Sequence, residues 1–291
     1  MAIVLGSLLL AAMVSTGLSG SAHAACSSVP GADALLWKPS VPVVWVGEMH
    51  GTTELPAAFG DLVCDAFAHG KHVTVGLEFA SGSQAAIDAM LGTGDLEAAE
   101  SQLLATPNWH MFFDGRSSKA MLALLVRLRE LKKEHPSLRV VAIENPWENT
   151  PGAKEVAVSD GVKSAIKRGP AEVLLVLTGN GHAMKHSPMA YPTAASLLPP
   201  AEVFSLLVTA RGGQSWYQTE AGCGAQPGGT RDKDSTRSFG VYPDTSYTKY
   251  GYDGVFSLGE MTTASAPADE AAAAGAECRK QFLAQPGPAH N

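Results

Sequence analysis

Apolar residues along this chain fall into two kinds of run. Short, unbroken, β-branched runs occur at Val41-Pro42-Val43-Val44-Trp45-Val46, at residues 73–77, 138–143, 173–177 and 203–209. Runs of that length with no polar alternation predict strands buried on both faces. Between them the apolar positions move to helical spacing. Leu55, Ala58, Phe59, Leu62, Val63, Ala66 and Phe67 mark a helix over 55–69, and Gly70 closes it as a C-cap. Helices are predicted over 85–91 and 96–104, separated by Gly92-Thr93-Gly94, and over 156–167. Another, over 117–133, has a basic last turn that suits the helix dipole. Strands alternating with helices predict βαβ units: an α/β fold with a mainly parallel central sheet flanked by helices. After Gly212 the pattern changes. Residues 212–252 are rich in Gly, Ser, Thr, Asp and Tyr and predict long loops or short edge strands, with a final strand at 253–258. Residues 264–274 are Ala-rich and acidic, and the segment from 285 is expected to be mobile. The expected division is one α/β domain over 25–262 and a flexible tail over 263–291.

The first apolar run, residues 3–14, stands outside this scheme. It is too short for a membrane span. Small residues follow it and then Ala22-His23-Ala24, which has the form of a cleavage site. Residues 1–24 therefore predict a signal peptide, although no basic residue precedes the run. Export changes the meaning of the four cysteines, Cys26, Cys64, Cys223 and Cys278. An even count in an oxidising compartment predicts two disulfides, Cys26–Cys64 and Cys223–Cys278, with buried free thiols as the alternative. A periplasmic or secreted location follows, and Cys26 leaves lipid anchoring open.

Composition narrows the partners. The 291 residues carry 21 Lys+Arg against 28 Asp+Glu, a formal net charge of −7, with 45 % apolar residues. With no concentrated basic patch, nucleic acid is not expected as a partner, and a small-molecule or peptide substrate is.

Candidate chemistry gathers at strand ends. The first strand leads into Gly47-Glu48-Met49-His50-Gly51, the second into Leu77-Glu78, the third into Ile143-Glu144-Asn145 and the fourth into Thr178-Gly179-Asn180-Gly181-His182. Parallel strands share a direction, so these groups are expected to converge on the carboxyl-end rim, where ligands of such sheets bind. His50 could take a proton from water, and a neighbouring carboxylate would fix its tautomer. His50, Glu78 and His182 would also satisfy a hydrolytic divalent metal, with Mn, Co or Zn as candidates. Arg116, Glu144 and His186 are the candidate substrate-binding residues; His186 would share a helix face with His182 if that segment is helical. Trp109 to Arg116 is either a lid with an anion-binding Arg116 or a hydrophobic plug before the next helix. Tyr242, Tyr247, Tyr250 and Tyr252 could line a ligand or pack loops onto the sheet.

These motifs resemble those of the superfamily that joins erythromycin esterases, ChaN haem-uptake proteins and TraB/Tiki proteins. Gly47-Glu48-Met49-His50-Gly51 is similar to the G-E-x-H opening of the ChaN branch. Gly76-Leu77-Glu78 is similar to the second-strand glutamate of the group, and Gly179-Asn180-Gly181-His182 to its second G-x-x-H tetrad. The likeness covers about residues 43–209, with a family-like closing strand at 252–258. It implies a cleft lined by Glu48, His50, Glu78 and His182. In the esterase branch such a cleft hydrolyses a lactone with a histidine-activated water; the Tiki branch is similar to a metal-dependent protease; the ChaN branch binds haem. The expectation is therefore an exported hydrolase that activates water with Glu and His, with or without a metal. The alternatives are a non-catalytic haem- or metal-binding uptake protein and an inactive descendant of the scaffold.

Overall fold

The computed structural model describes residues 26–111, 114–145, 150–219 and 222–270. The expected signal peptide, Cys278 and the end of the tail lie outside the described residues. A short helix α1 (Ala32–Leu35) precedes β1 (Val43–Glu48), α2 (Glu54–Ala68), β2 (His72–Ala80), α3 (Gln84–Met90), α4 (Leu96–Leu104), α5 (Pro107–Met111) and α6 (Lys119–Glu134). Then follow β3 (Arg139–Glu144), α7 (Pro151–Ala165), β4 (Glu172–Gly179), α8 (Asn180–Ala183) and β5 (Val203–Thr209). The chain continues through β6 (Gln214–Thr219), β7 (Gly222–Pro227), β8 (Gly240–Pro243) and β9 (Gly254–Ser257).

Seven strands form one sheet in the order β3-β2-β4-β1-β5-β9-β8. All neighbours are parallel except β8 and β9. Every residue of β1 is buried, as its continuous apolar run requires of a central strand covered on both faces. Its alternate side chains feed two cores. Val44 and Val46 pack with α2 and α6 residues such as Phe59, Leu62, Leu125 and Leu128. Val43 and Trp45 face the other way, with Val158 and Val162 of α7. The polar edge of Trp45 is satisfied too, since its Nε1–H donates to Thr178 Oγ1 at 2.8 Å.

The stretch after Gly212 forms β8 and a separate antiparallel ribbon of β6 and β7, the edge elements the sequence allowed for. The ribbon is fastened to the loop after β1. Gly51 O accepts from Trp216 N at 2.8 Å and from Ser265 N at 2.9 Å. Gly51 has φ +81°, and a side-chain carbon there would sit 2.1 Å from Trp216 O, so only glycine makes this junction. The start of the expected tail is also held. Lys119 N donates to Ala266 O, Ala268 N donates to Ser117 O, and Ser265 is buried. The flexible tail drawn from residue 263 thus begins too early: hydrogen bonding ties the chain down as far as Ala268.

Cys26 and Cys64 are bonded, 38 residues apart. Closing a loop of that length removes about 4 kcal/mol of unfolded-chain entropy on the loop-closure account. Such a bridge persists in an oxidising compartment, consistent with export. Cys223 is disulfide-bonded as well. Among the described residues no helix is long and apolar enough to cross a membrane.

Candidate active site

Strand register brings the strand-end residues together. Glu48 of β1 pairs with Gly179 of β4, and Leu77 of β2 pairs with Leu177 of β4. Glu48 and Glu78 therefore stand at similar heights on either side of the end of β4. His50 follows β1 by two residues, and His182 lies in the single turn of α8 that begins as β4 ends.

The side chains form a chain of alternating carboxylates and imidazoles. His50 Nδ1 lies 2.9 Å from Glu48 Oε1, and its Nε2 lies 3.4 Å from Glu78 Oε2. His182 mirrors it, with Nε2 3.3 Å from Glu78 Oε1 and Nδ1 2.8 Å from Glu155 Oε2. Glu78 is the centre. Its Oε2 also accepts from Gly179 N at 2.7 Å, and its Oε1 from Arg116 Nη1 at 3.0 Å. Arg116 is buried among carboxylates. Besides Glu78 it reaches Glu144 Oε2 through Nη1 at 2.5 Å and Asp114 Oδ2 through Nε and Nη2 at 2.9 and 2.6 Å. Lys154 Nζ completes the set, 2.7 Å from Glu144 Oε1.

The electrostatics follow from this packing. Burial opposes the charged form of His50, but Glu48 and Glu78 outweigh it and push its pKa up to about 10. For His182, burial is likewise outweighed by Glu78 and Glu155, and the value rises to about 9. Burial alone would raise Glu78, yet His182, Arg116 and His50 hold it well below the usual carboxylate range. Glu78 is thus an anchor for cations and a poor proton acceptor. Both histidines have folded-state values above the ordinary 6.5, so their contribution to stability is fully present below about pH 6.5. It is lost as the pH climbs through 9 to 10. The urea midpoint of the protein is expected to fall across that alkaline window, and His50→Asn should flatten the fall; an unchanged slope in the variant would count against the imidazolium assignment.

Gly179 shapes the space in front of the histidines. A side-chain carbon there would lie 3.0 Å from His50 Nε2, 3.6 Å from Glu78 Oε2 and 3.7 Å from His182 Cδ2. Only a residue without a side-chain carbon lets the end of β4 come this close to His50 and Glu78.

Of the residues expected at the rim, Glu48, His50, Glu78, Arg116, Glu144 and His182 meet. Arg116 turns its donors toward carboxylates at the base. His186 does not join them. Helix α8 stops at Ala183, so the four-residue spacing from His182 carries no shared face; the exposed His186 ring meets Thr248 O at 3.3 Å. The tyrosines serve the loops: Tyr252 OH donates to Asn180 O, Tyr247 OH to Arg231 O, and Tyr242 OH to Ser238 O. Buried Trp109 packs on Phe79 with ring centroids 5.7 Å apart, as the plug reading expects. Two site residues escaped the sequence reading, Lys154 and Glu155. The pattern put the start of that helix at 156, whereas α7 begins at Pro151 behind a Thr150 cap whose Oγ1 accepts from Ala153 N. The Thr-Pro pair is a start signal of the cap-and-N1 type and would have found both.

The expected metal ligands His50, Glu78 and His182 converge, and each histidine has the carboxylate behind it that metal-binding histidines use. Glu78, however, already compensates a guanidinium and two imidazoles. Among the described residues no three His, Cys, Asp or Glu side chains are placed to hold a metal ion. As arranged, these donors do not fit a divalent ion.

Comparison with known proteins then places the architecture. No family model matches the chain, and no curated protein does. Solved structures do. A mutant of the erythromycin esterase EreC in its open conformation superposes with a TM-score of 0.57 at 9 % identity, covering 78 % of this chain and 92 % of that one. The chain shares its fold with that structure. A Bacillus cereus protein matches with a TM-score of 0.54 at 12 % identity, over 78 % of this chain and 90 % of its own. A succinoglycan biosynthesis protein matches with a TM-score of 0.53 at 11 % identity, over 78 % and 89 %. Identities this low carry the fold and leave function to the site.

Proposed function

We propose that the protein is an exported hydrolase of esters or lactones that activates water with His50. The observation that carries this is a pair of imidazoles, His50 and His182, each backed at Nδ1 by a buried carboxylate and each turning Nε2 toward Glu78. Water bound at His50 would give a proton to its neutral Nε2 while the water oxygen bonds to the acyl carbon. The acyl–oxygen bond to the leaving group then breaks, and the His182 imidazolium gives its proton to the departing oxygen. Water and ester become acid and alcohol, and the proton on His50 returns to His182 through solvent between turnovers. Glu48 and Glu155 hold the two rings by Nδ1 and stabilise whichever is charged. Glu78 and Arg116 fix the geometry from behind.

The test is a panel of 4-nitrophenyl esters, lactones and peptides, assayed with wild type and His50→Asn, with chelator and with added Mn²⁺, Zn²⁺ or Co²⁺. Turnover of an ester or lactone that needs His50 and ignores the chelator is expected. Equal background rates in both proteins would remove the hydrolase, and activity that appears only with metal would replace this reading by a metal-dependent one.

A further inference from the structure

The charged side chains of the site are layered. The four glutamates lie deepest, with side-chain exposures of 5 % for Glu48, 4 % for Glu78, 2 % for Glu144 and 7 % for Glu155. The hydrogen-bond donors stand in front of them: His182 at 14 %, His50 at 18 % and Lys154 at 31 %. A molecule arriving from solvent therefore meets N–H groups before it meets carboxylates. Asp114 is the exception at 37 %, but Arg116 holds its Oδ2 by two nitrogens. A cationic group would be repelled by Lys154 at the entrance and would find no reachable carboxylate except one already paired.

The donors also have capacity left. A lysine ammonium offers three N–H groups. Glu144 takes one at 2.7 Å, while Glu78 Oε1, at 3.7 Å, is beyond a good hydrogen bond. The contacts from His50 and His182 to Glu78, at 3.4 and 3.3 Å, are long, so a closer acceptor competes for them.

We infer that the substrate carries an oxyanion, a carboxylate or phosphate group, next to the bond that is cleaved, and that Lys154 binds it. This rests on the hydrolase reading above. Lys154 and the glutamates behind it make the attraction local: the ammonium donates directly to the oxyanion, while the net charge of the site stays close to balanced. The contact selects among substrates by the group beside the scissile bond and leaves the leaving group free to vary.

Two measurements test this. The first compares 4-nitrophenyl butyrate with 4-nitrophenyl hydrogen succinate, which share a leaving group and differ chiefly by a carboxylate. Wild type is expected to favour the succinate ester by about tenfold or more in kcat/KM at low ionic strength, with the preference shrinking as salt is added. Lys154→Met should bring the ratio near one, mainly through KM, and Lys154→Arg, which keeps the charge, should retain it. The second is calorimetric titration of the protein with inorganic phosphate and with succinate, which needs no turnover; saturable binding that Lys154→Met abolishes is expected, and the better ligand distinguishes phosphate from carboxylate. Equal hydrolysis of both esters with no anion binding would overturn the inference and leave the hydrolase standing. Anion binding that depends on Lys154 without turnover of either ester would uphold the oxyanion site and overturn the hydrolase instead.

Discussion

Replacing Arg116 by Met is expected to lower the unfolding free energy by about 3–5 kcal/mol, the range for removing one partner of a buried ion pair. The guanidinium is enclosed by Asp114, Glu78 and Glu144, and two of those carboxylates have almost no contact with solvent. Methionine fills much of the space, so the loss would come from charge left behind. Burial would then drive Glu78 upward, opposed by Lys154, the two imidazoles and the Gly179 N–H. This gives the effect a pH signature. Carboxylates that protonate in the variant no longer carry an uncompensated charge, so the difference from wild type should shrink as the pH falls from 7 toward 5. Urea unfolding at both values would measure it. The control is the exposed Lys133–Glu130 pair, whose removal should cost well under 1 kcal/mol. A loss of that size at Arg116 would mean the cluster is solvated enough for its charges to stand alone.

How much of this was legible beforehand depends on the distance over which each signal acts. Buried parallel strands announce themselves in a few consecutive residues, and Val43 to Val46 and Val173 to Leu177 did so because both faces of each strand are covered. Their ends then placed Glu48, His50, Glu78, Glu144 and His182 on one rim, since direction in a parallel sheet follows from the βαβ pattern alone. The order of the strands was not legible. That Glu78 stands beside Gly179, and so accepts its N–H and faces both histidines, follows from β2 pairing with β4, a long-range choice that no local pattern records. Arg116 shows the same limit from another side. Its neighbours in sequence suggested an anion grip, but its partners Glu78 and Glu144 come from two other strands and leave it structural. Lys154 and Glu155 were lost for a smaller reason, a helix start read five residues late. His186 was gained wrongly by extending a one-turn helix past its end.

The largest functional effect is expected at His50. His50→Asn keeps a polar side chain near Glu48 but removes the proton acceptor, and loss of a positioned general base costs about 10²- to 10⁴-fold. His182→Asn should fall within the same range if it supplies the proton to the leaving group. The double variant should be little worse than the weaker single one, because base and acid act in one step and their effects do not add. The pH profile separates this from a single-base mechanism. His50 must be neutral to accept a proton, and its pKa is pushed up to about 10. His182 must be charged to donate one, and it holds its proton until about 9. The competent form is therefore a minority species that peaks between those values. kcat/KM should rise about tenfold per pH unit from neutrality toward 9, as one proton leaves the pair, and fall again above about 10 as the second leaves. A plateau above 10 would show that His182 gives no proton. A flat profile from pH 6 to 9 would show that neither imidazole changes charge in the reaction, and the assignment of His50 as base would fail with it.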